Sequence, residues 1–175
     1  MNILFVSLGC DKNLVDTEVM LGLLASRGHQ MVDSEEIADV IVINTCCFIH
    51  DAKEESIQTI LEMAEYKKAG SCKAMIVTGC LAQRYKQEII DEIEEVDAVL
   101  GTTSYDKIVE AIDEALAGYT SVEMTDIDAL PLVESKRLVT TGGHFAYLKI
   151  AEGCDKHCTY CIIPKIRGNF RSVPI

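Results

Sequence analysis

The chain has 175 residues, 28 acidic against 16 basic side chains, a formal net charge of −12 and eight cysteines. So acidic a surface forgoes the counterion release that drives binding to a phosphate backbone, so direct nucleic-acid binding is not expected of this segment and a basic protein is the more natural partner. No run approaches the roughly 18 apolar residues of a membrane span, and Phe5–Cys10, which looks like a lipoprotein cleavage site, has no basic region before it. Thiols without an export signal point to reduced or metal-bound cysteine, a cytoplasmic protein and oxygen sensitivity.

In chain order, three short apolar, β-branched runs each lead to a cysteine: Ile3–Leu8 to Cys10, Val40–Thr45 to Cys46, and Ala74–Gly79 to Cys80. Such runs are the pattern of strands buried on both faces. Each is followed by helical periodicity: Val15, Val19 and Leu23; Ile57, Ile60, Leu61 and Ala64; then Tyr85, Ile89 and Ile93. Asp51 with Glu54 three residues on suits the cap of the second helix. The βαβαβα order predicts an α/β fold with a flavodoxin-like parallel sheet flanked by helices, whose strands end along one edge where such folds place their ligands.

Cys10, Cys46 and Cys80 therefore converge, and three converging thiols suit a metal cluster. Small buried cysteines are also common at strand ends; the argument for a site is that all three share one edge beside Gly9, Gly79 and the pair Asn44–Thr45. Cys47 and Cys72 read as bystanders, the first crowding or facing away from its neighbour and the second in a turn ahead of its strand.

A last helix carries Ile108, Ala111, Ile112, Ala115 and Leu116, opened by Thr103 or Ser104 and closed by Gly118. Residues 1–118 form the expected first domain. Residues 119–144, with Pro131 and Gly142–Gly143, read as a linker, and 145–175 as the incomplete start of a second domain, opening with a strand over Tyr147–Ala151 whose edge is left unpaired.

That strand leads into Cys154, Cys158 and Cys161, spaced C-x-x-x-C-x-x-C. Three thiolates can hold three irons of a cubane and leave the fourth open to a small molecule. Structural zinc closes with four ligands, usually from C-x-x-C pairs, and His157 sits between the cysteines where it cannot readily fold back; a ferredoxin-type cluster needs a fourth cysteine, and none follows Cys161. His29, His50, His144 and His157 each stand alone and read as solvated, and no paired-carboxylate or Ser-His-Asp arrangement is visible.

The second triad, with Tyr160 just before its last cysteine, resembles the radical S-adenosylmethionine enzymes. The resemblance implies a 4Fe-4S cluster on Cys154, Cys158 and Cys161 whose open iron binds S-adenosyl-L-methionine, with Tyr160 near the adenine. Taken with Ser7–Glu18, Asn44–Cys46 and Thr78–Gln83, the chain is similar to the methylthiotransferases, which implies a second 4Fe-4S cluster on Cys10, Cys46 and Cys80 that serves sulfur insertion. The wording of Gly9–Asp16 and Glu152–Gly168 is similar to the branch that modifies an aspartate of a small-subunit ribosomal protein, number twelve. One departure stands at Cys47, where that branch usually has glycine, so that two adjacent thiols compete for one ligand position.

The resemblance further implies one-electron cleavage of S-adenosylmethionine, abstraction of an unactivated β-hydrogen that no acid or base could remove near neutral pH, and an electron donor such as flavodoxin. With one βα unit of a barrel present, the chain is expected to be a fragment that does not turn over alone. The other readings are a tRNA adenosine methylthiotransferase and a non-catalytic iron–sulfur module.

Overall fold

The computed structural model describes residues 1–130 and 136–174. Residues β1 (Asn2–Ser7), α1 (Asp11–Ser26), β2 (Gln30–Val32), β3 (Val40–Thr45), α2 (His50–Lys68), β4 (Ala74–Gly79), α3 (Cys80–Glu92), β5 (Ala98–Leu100), α4 (Ile108–Leu116) and β6 (Ser121–Glu123) alternate along the chain. The six strands form one all-parallel sheet in the order β2-β1-β3-β4-β5-β6. This is the flavodoxin-like winding expected from the sequence, in which the order reverses between β1 and β3.

Alternation of side chains along the central strands supplies both faces of the sheet at once. Ile41, Ile43, Met75 and Val77 meet Ile60 and Met63 of α2 with Leu81 and Ile89 of α3. Val40, Val42, Ala74 and Ile76 meet Met20 and Leu24 of α1 with Ile108 and Ile112 of α4. Every residue of β3 and β4 is buried, and at about 1.5–3 kcal/mol for each large apolar side chain these two layers dominate the fold.

Several boundaries differ from the sequence expectation. Helix α2 starts one residue before Asp51, with Ile49 at the cap position and no side-chain cap bond; Asp51 instead lies in the first turn, where its charge favours the helix dipole. Ser104 precedes a single tight turn, Tyr105–Lys107, before α4, and its hydroxyl accepts the Thr125 amide at 2.8 Å. Gly118 ends α4 at φ 84°, donating its N–H to Ala115. The sheet continues past Gly118 into the stretch read as a linker, because β6 pairs with β5. The expected strand over Tyr147–Ala151 shrinks to β7 (Ala151–Glu152), whose edge is taken by antiparallel β8 (Arg171–Ser172), with α5 (Ile163–Arg167) between them. Tyr147, Leu148 and Ile150 stay exposed, having no sheet to cover them. Pro131 lies outside the described residues.

Candidate sulfur-ligand site at the carboxyl edge of the sheet

In-register pairing of Ser7 with Asn44 and of Thr45 with Gly79 ends β1, β3 and β4 at one level. Just beyond, Cys10 caps the start of α1, Cys46 and Cys47 follow β3, and Cys80 is the first residue of α3. Two buried asparagines stitch these turns together. Asn13 donates to the carbonyls of Leu8 (3.0 Å) and Thr45 (2.9 Å), and Asn44 donates to Asn13 O and Thr17 Oγ1, both at 2.9 Å. The Ser56 hydroxyl of α2 accepts the Cys46 amide at 2.9 Å.

Glycine is required at two points. A Cβ on Gly9 (φ 91°) would lie 2.7 Å from Cys46 Cβ and 2.9 Å from Cys46 Sγ, so its absence lets the Cys10 turn approach the Cys46 side chain. A Cβ on Gly79 (φ 93°) would collide with Asn44 Oδ1 and the Thr45 carbonyl.

The neighbouring thiols are sorted by this packing. Cys46 abuts Gly9, next to Cys10. Cys47 joins the apolar layer under α2 and α3 and donates to the Cys80 carbonyl at 3.1 Å, and burial pushes its pKa up. Cys72 is likewise buried, donating to Ala74 O at 3.1 Å. Burial also pushes the Cys80 thiol up to about 11, against the pull of the Arg167 guanidinium; its Sγ stands 3.7 Å from Asn13 Oδ1. Cys46 and Cys80 are buried within electrostatic reach of each other, whereas Cys10 is exposed. All eight cysteines are free thiols. Among the described residues no three Cys, His, Asp or Glu side chains stand at the separation one metal ion requires.

The second triad sits on the loop between β7 and α5. Cys154 donates its amide to Gly168 O at 3.0 Å, Cys161 donates to Cys158 O at 3.0 Å, and His157 between them adopts φ 47°. Cys154 and Cys161 are half-buried and Cys158 is exposed. Tyr160 is 90% exposed, on the rim of a cleft of about 480 Å³ that Cys158 and Cys161 share with Phe48 and Arg84 from the sheet domain. Phe48 directly follows the Cys46–Cys47 pair, and Arg84 closes the first turn of α3 ahead of a kink at Tyr85. Of the histidines, His50, His144 and His157 are exposed and His29 is half-buried.

Sequence reasoning missed a buried ion cluster that lies between the two triads. Arg167, 2% exposed, donates from Nη1 to Asp16 (2.7 Å) and Glu152 (3.1 Å) and from Nη2 to Asn13 Oδ1. Lys149 pairs with Asp16 and with Glu152 (3.0 Å) and lies 5.3 Å from the Tyr105 ring centre. Lys12 reaches Glu152 at 3.1 Å from the solvent side. Burial raises the Glu152 carboxyl, but Arg167, Lys149 and Lys12 outweigh it and bring its pKa down to about 2. A third buried carboxylate, Glu18, accepts from the Thr140 amide (2.6 Å) and from Arg137, tying the stretch after residue 135 to α1. The available signal was polar residues on an otherwise buried helix: Asn13, Asp16, Thr17 and Glu18 are all at most 4% exposed.

The fold and these turns define a doubly wound α/β domain with thiols gathered at the carboxyl edge of its sheet. The chain belongs to the uncharacterized protein family UPF0004, whose pattern matches residues 2–101. It is similar to three proteins named ribosomal protein uS12 methylthiotransferase RimO. The one from Lachnoclostridium phytofermentans is 67% identical over all 175 residues. Those from Desulforamulus reducens and Clostridioides difficile are 53% and 51% identical over 97% and 95% of the chain. The chain spans 40%, 38% and 37% of their respective lengths. Among the described residues no helix is long and apolar enough to cross a membrane.

Proposed function

We propose that this chain is the amino-terminal part of a radical S-adenosylmethionine methylthiotransferase that modifies an aspartate of small-subunit ribosomal protein twelve. The observation that carries the reading is the shared cleft: Cys158 and Cys161 of one triad face Phe48 and Arg84, which flank the other triad's turns. The match to the RimO protein of Lachnoclostridium phytofermentans, 67% identical, runs over all 175 residues and so spans both triads. In this reading residues 1–118, completed by β6, form the amino-terminal domain, the rest of 119–144 the linker and 145–175 the start of the radical domain, in a cytoplasmic enzyme reduced by a flavodoxin-like donor.

The residues fit the groups. Both sites offer only sulfur donors, and a sulfide-bridged cluster binds each thiolate to a different iron, spacing its ligands more widely than one ion does. Cys10, Cys46 and Cys80 would hold one 4Fe-4S cluster and Cys154, Cys158 and Cys161 the other. When bound, these clusters and S-adenosylmethionine supply the one-electron, sulfur and methyl chemistry that no side chain provides. The chain's own part is placement. Asn13 and Asn44 fix the turns that present Cys10 and Cys46, Gly9 opens room beside Cys46, and Tyr160 stands at the rim where an adenine would stack. Cys46 rather than Cys47 is the ligand, because the Cys47 thiol is spent on the Cys80 carbonyl within the apolar layer.

The test is anaerobic reconstitution of the full-length protein with iron and sulfide analysis, in wild type and in C10A, C46A, C80A and C154A, with mass analysis of ribosomal protein and tRNA from a strain lacking the gene. Each substitution should remove about half the iron, and the ribosomal protein should lose a methylthio group. Iron content indifferent to Cys10, Cys46 and Cys80, or a mass change confined to tRNA, would sink the reading.

A further inference from the structure

The ion cluster between the two triads sets one of its cations against a cysteine turn. Buried Lys149 and Arg167 face buried Asp16 and Glu152, and Lys12 reaches Glu152 from the solvent side, in a chain whose formal charge is −12. A buried cation is costly unless something of opposite sign answers it. Arg167 reaches past its two carboxylates: its Nη2 bonds Asn13 Oδ1, the oxygen that stands 3.7 Å from Cys80 Sγ, and the guanidinium itself lies against that thiol. A neutral thiol does not answer a cation; a sulfur ligand carrying charge does.

The next residue ties the other triad to the same point. Gly168 O accepts the Cys154 amide at 3.0 Å, and Gly153 leaves no room for a side chain against Gly168 and Asn169. Arg167–Gly168 is therefore one backbone unit with its side chain on the Cys80 turn and its carbonyl on the Cys154 turn.

We propose that Arg167 is a positioning residue that supplies the counter-charge for a sulfur-ligated cluster at Cys10, Cys46 and Cys80, and so sets the potential at which that cluster takes an electron. The proposal rests on the two-cluster reading above. Charges and hydrogen bonds at ligating sulfurs tune cluster potentials. A cation beside Cys80 favours the reduced, more negative cluster, and Asp16 opposes it.

The experiment uses full-length protein carrying C154A, C158A and C161A, so that only the cluster of interest is loaded, and measures its midpoint potential by electron paramagnetic resonance at poised reduction. R167Q should lower the potential, D16N should raise it, and R167K, which keeps the charge, should stay near the parent. Opposite shifts from two members of one ion pair are not the signature of mere loosening. Should R167Q fail to fold, the upward shift in D16N decides the matter. Equal potentials in the parent and the folded variants overturn the role of Arg167, whereas a parent that binds no Cys80-dependent iron overturns the two-cluster reading and the proposal together.

Discussion

Replacing Glu152 with glutamine removes the carboxylate on which three cations converge, Lys12, Lys149 and Arg167. The Glu152 side chain is 4% exposed, and its folded pKa falls from the ordinary 4.5 to about 2. A depressed carboxylate contributes stability that is fully present above the unfolded pKa and lost as pH falls from 4.5 toward 2. At 1.36 kcal/mol per pKa unit, the carboxylate form is worth about 3 kcal/mol at pH 7. Urea unfolding followed by circular dichroism, in wild type and E152Q from pH 7 to pH 3, reads this directly. E152Q should be less stable by about 3 kcal/mol at pH 7, and the two curves should draw together below about pH 4.5. A gap that stays constant from pH 7 to pH 3 would refute the electrostatic account and leave only a packing loss.

In the core, Ile76→Ala, at a fully buried position against α1 and α4, should cost about 2–5 kcal/mol, visible as a lower urea midpoint; less than about 1 kcal/mol would mean that this layer is looser than described. Gly22→Ala would drive a methyl group into the Lys136 carbonyl, so the strap held by Glu18 should lift and trypsin should cut at Arg137 several-fold faster. Gly9→Ala should reduce iron bound at the first triad of the full-length protein while sparing the second, because the added Cβ meets Cys46; unchanged iron argues against this cradle. Cys47→Ala should keep its iron where Cys46→Ala loses it, and the reverse result would exchange their roles.

The sheet was legible because β3 and β4 are buried on both faces, so nearly every residue had to be apolar, and because the turns that follow β1, β3 and β4 each carry a cysteine. β2, β5 and β6 are three residues each, too short to show a period. The strand expected over Tyr147–Ala151 had the right composition, yet only Ala151 and Glu152 find a partner. The second cysteine set stood out by its spacing, and the first by the place of each cysteine after an apolar run. The ion cluster did not, since Asp16 and Arg167 are 151 residues apart and a charge on a helix gives no sign of a partner so distant. Likewise the adjacent Cys46 and Cys47 are told apart by their packing, Cys46 against Gly9 and Cys47 bonded to the Cys80 carbonyl within the apolar layer.

The partners of α1 arrive late during synthesis. Glu18 is answered by Arg137, 119 residues downstream, and Asp16 by Arg167, 151 residues downstream. At about 5–20 residues per second, a nascent chain waits about 6 to 30 seconds before those cations leave the translation tunnel. Val19, Met20 and Leu24 allow the helix to settle on the sheet meanwhile, with both carboxylates still hydrated. The final burial of α1 thus marks the moment when the segment bearing the second triad has emerged, and a prematurely terminated product lacking it keeps a wet, loosened first helix that quality-control proteases can recognise.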